Sequence, residues 1–288
     1  MEPTVKREYT SSNYLLPADD VETERLRIQH RILTKAFGNQ LALAPITFHS
    51  NDRVLESGAG SGIWAQELSD FHSQNNLLLD IECIDISDKQ FPHEYPSNIH
   101  FSIHSVTDLP REWQNSFSYV HQRLLMAAMN DSRWNMAIDQ LYDVLKPGGW
   151  IELVEVDVKG FGFGVGPNSK RLVSLITSLF ASKGVVLDLG VYLPKLLAKK
   201  GFIDIQCEGR NIPIREPMDN DEFNGSKQLH DLWMGMKTPV LTGGGFGIVG
   251  SEKEFHELLE GSLKEWNESY KAYNPWYTIV AKKPLEVE

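Results

Sequence analysis

The 288-residue chain predicts an α/β fold, a mostly parallel sheet covered by helices. Three observations carry that expectation. From Arg53 onward, short apolar runs alternate with stretches of helical periodicity, the pattern of parallel strands joined by crossover helices. At one strand-to-helix junction, VLESGAGSGIW (54–64), glycines crowd the turn. A second apolar run, LLLDIECIDIS, ends at Asp85, which follows Gly62 by 85 − 62 = 23 residues.

The elements follow in chain order. Residues 1–16 show no periodicity, whereas Val21, Leu26, Ile28, Ile32, Leu33 and Phe37 recur at helical intervals and predict an amphipathic helix over 19–37. On periodicity alone that helix packs on the sheet edge. Seven strands are expected near 53–57, 79–86, 99–104, 117–121, 149–157, 202–208 and 276–282. Lys146, Pro147, Gly148 and Gly149 read as the turn that admits the fifth. After it, GFGFGVGP (160–167) lacks the Gly-Lys-Ser/Thr of a phosphate loop, and Ser169 with Lys170 suit a helix start. Ligands bind outside the carboxyl ends of parallel strands, so this loop is expected to border a substrate pocket, with Phe161 and Phe163 as apolar walls.

The stretch from Glu208 to Tyr273 is too long for a simple connection and reads as an insertion. Leu229, Leu232, Trp233 and Met236 share one helical face, and Ser251 with Glu254 make a capping-box pattern before a helix running toward Tyr270. Between them, TGGGFGIVG (242–250) carries five glycines and reads either as a lid or as a surface loop.

The glycine turn points to a nucleotide-like ligand. Gly58, Gly60 and Gly62 let the backbone pass close to a bound molecule, and the helix from Ile63 aims its N-terminus at it. A dinucleotide fingerprint needs its third glycine at position 63, which is isoleucine; Gly62 instead gives G-x-G-x-G, the form found with S-adenosylmethionine. At the end of the second strand, Asp85 is placed to hold a ribose.

Several segments together resemble the class I S-adenosylmethionine-dependent methyltransferases, and more narrowly the fungal LaeA-like methyltransferases. They are EYTSSNYLLPADDVETERLRIQHRIL (8–33), VLESGAGSGIWAQEL (54–68), FSYVHQRLL (117–125), LKPGGWIELVEVD (145–157) and AYNPWYTIVAKKP (272–284). The resemblance implies a Rossmann-like sheet in the order 3-2-1-4-5-7-6, with the last strand antiparallel. It implies one domain: an N-terminal helical cover (1–45), a cofactor-binding core (46–208), a helical insertion or substrate lid (209–273) and a C-terminal strand and tail (274–288). S-adenosylmethionine would leave as S-adenosylhomocysteine. Glu56, Gly58, Ala59, Gly60 and Gly62 would take its methionine end, Asp85 the ribose, Ile86 a face of the adenine, and Ser105 and Val106 the adenine edge. The family often has an acidic residue at the adenine edge, and Asp108 is the nearest substitute here. Tyr14 and Leu15 are candidates to touch the cofactor from the N-terminal cover.

His121, at the end of the fourth strand, is the candidate general base, since an imidazole with a pKa of about 6.5 can take a proton at neutral pH. The resemblance offers the alternative of a backbone contact to the methionine moiety. Arg123 either orients an anionic substrate or pairs with Glu152 or Glu155. His30 and His104 read as core or surface. Trp233, Met234, Met236, Phe246 and Trp276 lie in segments expected to overhang the site, which points to a small, fairly apolar acceptor methylated on O or N. Two alternatives stay open: a nuclear regulator acting through partner proteins, and a fold that binds cofactor without methyl transfer.

A net charge of −11 with only isolated basic pairs argues against nucleic acid. No apolar run approaches about 18 residues, and MEPTVKREYT is too polar for a signal peptide, so a cytoplasmic protein is expected, with the nucleus added under the regulatory alternative. Cys83 and Cys207 sit in apolar runs without zinc-like spacing and read as buried free thiols, with no metal site. The sequence does not fix an oligomeric state.

Overall fold

A computed structural model describes residues 15–17, 19–215 and 225–285. Tyr14 lies outside them. The sheet consists of β1 (Arg53–Ser57), β2 (Asp80–Asp85), β3 (Ile99–Ile103), β4 (Phe117–Arg123), β5 (Leu145–Val156), β6 (Ile203–Pro213) and β7 (Tyr273–Lys282). Their order is β3-β2-β1-β4-β5-β7-β6. β1 to β5 run parallel and β7 inserts antiparallel to both β5 and β6. The strand order turns back at β1, so the loops after β1, β2 and β4 converge on one crevice.

Eight α-helices accompany the sheet among the described residues: α1 (Asp20–Ala36), α2 (Ile63–Ser73), α3 (Asp131–Val144), α4 (Pro167–Ser182), α5 (Leu189–Lys200), α6 (Gly225–Gly235), α7 (Lys237–Thr242) and α8 (Glu252–Glu268). Asp19 caps α1 by accepting the Glu22 N–H at 3.0 Å. Ser251 caps α8 in the same way, but Glu254 returns its bond to the Gly250 N–H, one residue before the cap, so the box is displaced.

Alternation across the central strands builds one polar row. Cys83, Glu56, His121 and Glu152 stand in register on β2, β1, β4 and β5, all buried. Trp64 of α2 lies against this row, its ring 3.8 Å from that of His121 and nearly parallel to it.

Four expectations need correction. β5 begins at Leu145, so Lys146–Gly149 is not a separate turn. It is an irregular start of the strand, with a register shift against β4 and Gly148 at φ +80°. Cys207 is exposed, because β6 is a sheet-edge strand with an open pattern; Cys83 is a buried free thiol. The 242–250 segment is a surface turn, with Thr242, Gly243, Gly244, Gly247 and Gly250 exposed, and not a lid over the crevice. Thr242 closes α7, residues 244–247 turn with Gly244, Gly245 and Phe246 at positive φ, and Val249 is buried. The insertion packs on α4 rather than over the cofactor side: Glu265 of α8 accepts the Asn168 and Ser169 N–H groups, each at 2.8 Å, at the start of α4.

Candidate active site

The crevice is a cleft of about 390 Å³ at the carboxyl ends of β1, β2 and β4. Its floor is the turn after β1. Gly58 and Gly60 take φ of +70° and +52°, and the Gly58 and Ala59 N–H groups both bond the Ile84 carbonyl at 2.9 Å. Asp85 accepts the Gly60 N–H at 3.0 Å, tying the tip of β2 to the turn. Burial raises the Asp85 carboxyl above its ordinary range, against backbone hydrogen bonds from Gly60, Ile86 and Ser87. A Cβ on Gly60 would make ordinary contacts with Leu26 at 3.5 Å and Gln90 at 3.8 Å, so it is the φ of +52° that favours glycine here.

Ser57, Gly58, Ala59, Gly60, Asp85, Ile86, Ser105 and Val106 are brought together around the cleft. Ile86 is half exposed, an apolar side chain held at the rim. Gly62 is set back from the lining; it caps α2 in the left-handed conformation, and a Cβ there would strike Phe101 at 2.4 Å. Asp108 lies outside the lining and folds back to pair with Ser105.

No residue of the polar row lines the cleft, and two of them were expected to. Glu56 points beneath α2, where it meets the Ala65 N–H and the Cys83 thiol, the latter at 3.7 Å. Burial pushes its carboxyl up to about 7, with Arg123 opposing. It therefore supports the first turn of α2 and is not a cleft residue. His121 is 2 % exposed and stacked under Trp64, so it cannot meet a substrate as a base. Burial first, then Arg123 and His30, hold its ring well below the usual imidazole range.

Arg123 does line the cleft. Glu152 is engaged by the Tyr119 hydroxyl and the Leu43 and Ala44 N–H groups, and Glu155 by the Leu125 and Met126 N–H groups. Neither pairs with Arg123, and among the described residues its guanidinium has no hydrogen bond and no ion pair within 4.0 Å. Glu56, Glu67 and Glu152 act on it only at longer range. The clamp by Glu155 holds the turn at Leu124, whose φ is +62°, so that Leu124 and Leu125 face the cleft.

The residues expected to hold substrate form a core elsewhere. Phe163, Trp233 and Met236 are buried, with Phe161, Phe163 and Trp233 rings 4.6 to 6.0 Å apart and the Trp266 Nε1–H bonding the Phe163 carbonyl. Phe246 and Met234 pack against the same core, and Trp276 packs with Leu33, Phe37 and Val154. None lines the cleft, because apolar residues at helical spacing bury themselves between α4, α6 and α8. Leu15 is buried in that core as well.

The apolar wall is instead Leu26, Ile63, Leu124, Leu125, Ala128 and Met129. α1 adds Gln29 and His30, which with Leu26 fall at i, i+3 and i+4 on one face; that spacing was the available signal, and it read as core. His30 bonds Glu67 of α2 at 2.7 Å, and burial, followed by Arg123, lowers its ring to about 4.

Comparison with known proteins agrees with this geometry. Residues 28–187 match the family model described as a methyltransferase domain, more than half of the chain. The methyltransferase grgD of a Penicillium species is 28 % identical over 86 % of this chain and 88 % of its own. The N-methyltransferase tcpN of Claviceps purpurea is 29 % identical over 90 % and 92 %. The N-methyltransferase sirN of Leptosphaeria maculans reaches 40 % identity over 52 % of this chain and 51 % of its own. The chain belongs to the methyltransferase-domain family and is an S-adenosylmethionine-dependent methyltransferase.

Proposed function

We propose that the protein transfers a methyl group to a nitrogen of a small, fairly apolar and uncharged molecule, in fungal secondary metabolism. The observation that carries the acceptor class is the charge of the cleft lining. Among the described residues Asp85 is its single acidic residue, while Arg123, Arg133 and His30 line the cleft with Leu124, Leu125, Ala128 and Met129. With Asp85 engaged by the ribose, a cationic ammonium would find no carboxylate left among the described lining residues, whereas a neutral amide or amine meets an apolar wall and polar groups. Nitrogen as the methylated atom is supported by the names of two relatives, sirN and tcpN. The narrower LaeA-like kinship is part of the same proposal.

When bound, S-adenosylmethionine supplies a methyl group already activated by its sulfonium. In this reading Asp85 accepts the ribose hydroxyls, Ile86 packs on the adenine, Ser105 and Val106 border its edge, and the 58–60 turn lets the backbone approach. Arg123, half-buried in the cleft and without an ion pair among the described residues, receives the methionine carboxylate through charge-assisted hydrogen bonds. The chain's contribution is then alignment and exclusion of water. The test is methyl transfer from labelled S-adenosylmethionine to paired acceptors. Neutral secondary amides and weakly basic amines should be methylated, and quaternisable, strongly basic amines should not; the reverse preference would refute the acceptor class.

A further inference from the structure

We infer that the base end of the cleft takes a 6-oxopurine as well as a 6-aminopurine, because the Ser105 and Thr107 hydroxyls that meet the purine edge form a pair whose polarity reverses. The inference rests on the cofactor placement proposed above and deepens it. With the carboxylate at Arg123 on β4 and the ribose at Asp85 on β2, the base extends past β2 toward β3. There His104, Ser105 and Thr107 line the cleft half-buried, with Val106 buried between them. The His104 N–H bonds the Asp85 carbonyl at 3.0 Å, which sets this loop beside the ribose acid.

Three observations bear on what this edge selects. Among the described residues it holds no carboxylate: Asp85 belongs to the ribose, and Asp108 is exposed and outside the lining. Nearby fixed acceptors are already engaged, the Ser105 carbonyl by the Asp108 N–H at 2.9 Å and Gln140 Oε1 by the Leu109 N–H at 2.8 Å. Arg133, which stands two helical turns before Gln140 on the same face of α3, lines the cleft with a guanidinium that can only donate. The third observation is the pair itself. The Ser105 and Thr107 hydroxyl oxygens lie 2.8 Å apart, and either one can be the donor.

A hydroxyl carries one hydrogen and two lone pairs. When Ser105 donates to Thr107, Thr107 keeps its hydrogen for a ligand and Ser105 keeps a lone pair, its other one holding the Thr107 N–H at 3.3 Å. When the bond reverses, Ser105 offers the hydrogen and Thr107 the lone pair. The purine edge exchanges its own polarity in the same way on deamination. Adenine accepts at N1 and donates from the 6-amino group, whereas hypoxanthine donates from N1 and accepts at the 6-oxo group. Either edge needs one donor and one acceptor, and the pair supplies both by turning one hydrogen bond around. A carboxylate at this place would accept from the 6-amino group and repel the 6-oxo group.

The test is calorimetric titration of the full chain with S-adenosylhomocysteine and with S-inosylhomocysteine, its 6-oxo counterpart. The two dissociation constants should agree within about tenfold, the scale of one neutral hydrogen bond. Ser105→Asp puts a fixed acceptor in place of the reversible hydroxyl. It should retain S-adenosylhomocysteine and weaken S-inosylhomocysteine about 100-fold, the scale of a hydrogen bond to a charged group. A parent that binds S-adenosylhomocysteine but disfavours the 6-oxo ligand by more than about tenfold would overturn the inference. An unchanged ratio of the two affinities in Ser105→Asp would overturn it as well. A folded parent that binds neither ligand would instead remove the cofactor reading itself.

Discussion

At the Asp85 end of the cleft the shape comes from backbone: Gly58 and Gly60 hold positive φ, and the Gly60 N–H bonds Asp85. At the His30 end it comes from side chains that three separated elements bring together, His30 from α1, Glu67 from α2 and Arg123 from β4. The first end joins the tips of two adjacent strands 25 residues apart through backbone, and the second joins side chains of three elements. Substitutions should accordingly act on the two ends in different ways.

The largest effect is expected at the backbone end. Gly60→Val puts a β-branched side chain into the left-handed region and a Cβ toward Leu26 and Gln90, so cofactor binding should fall below detection by calorimetry while the protein remains folded. Trp233→Ala separates the cleft from the aromatic core of the insertion. It should cost about 3–5 kcal/mol in denaturant unfolding and leave cofactor affinity nearly unchanged; a lost affinity with intact stability would restore Trp233 to the site.

Asp85→Ala and Arg123→Met should each weaken cofactor binding by about tenfold to 100-fold, the range of a lost charged hydrogen bond. The comparison sharpens with 5′-deoxy-5′-methylthioadenosine, which lacks the amino-carboxyl chain of the methionine end. Arg123→Met should leave its affinity unchanged, whereas Asp85→Ala should weaken it as much as that of the full cofactor.

The smallest effect is on stability against pH. Burial raises Glu56 to about 7 and Glu155 to about 8, from a carboxyl norm of 4.5. Folded pKa values above unfolded ones mean stability that is full below the unfolded value and lost as pH rises through about 7 and then about 8. His30, lowered from 6.5 to about 4, acts on the acid side, where stability is lost as pH falls through that window. Between the unfolded carboxyl value of 4.5 and the imidazole value of 6.5 the two carboxyls outweigh the one ring, so melting temperature should decline as pH rises from about 5 to about 8, and Glu155→Gln should flatten that alkaline limb. An unchanged alkaline limb in that variant would contradict the burial of Glu155 as an acid.

The sheet order and the turn were legible because they depend on local signals. The apolar runs mark the strands, and Gly58, Gly60 and Asp85 sit at strand ends whose place in the crevice follows from topology. His121 and Glu56 also sit at strand ends, yet strand position gives the edge and not the face. Both fall in the row covered by Trp64, so α2 seals them from the cleft. Phe163 and Trp233 were ambiguous for another reason, since an aromatic at helical spacing is the same signal for a core as for a pocket wall. His30 was hidden because its meaning depends on where α1 crosses the sheet, a contact between residues 37 apart in the chain.

The central claim is that the cleft between the glycine turn and β4 holds S-adenosylmethionine. Calorimetric titration of the parent chain and of Asp85→Ala with S-adenosylmethionine and S-adenosylhomocysteine tests it most directly. The account predicts micromolar binding of both ligands by the parent and marked weakening of both by the substitution. A folded parent that binds neither, or equal affinity in the two proteins, would contradict it.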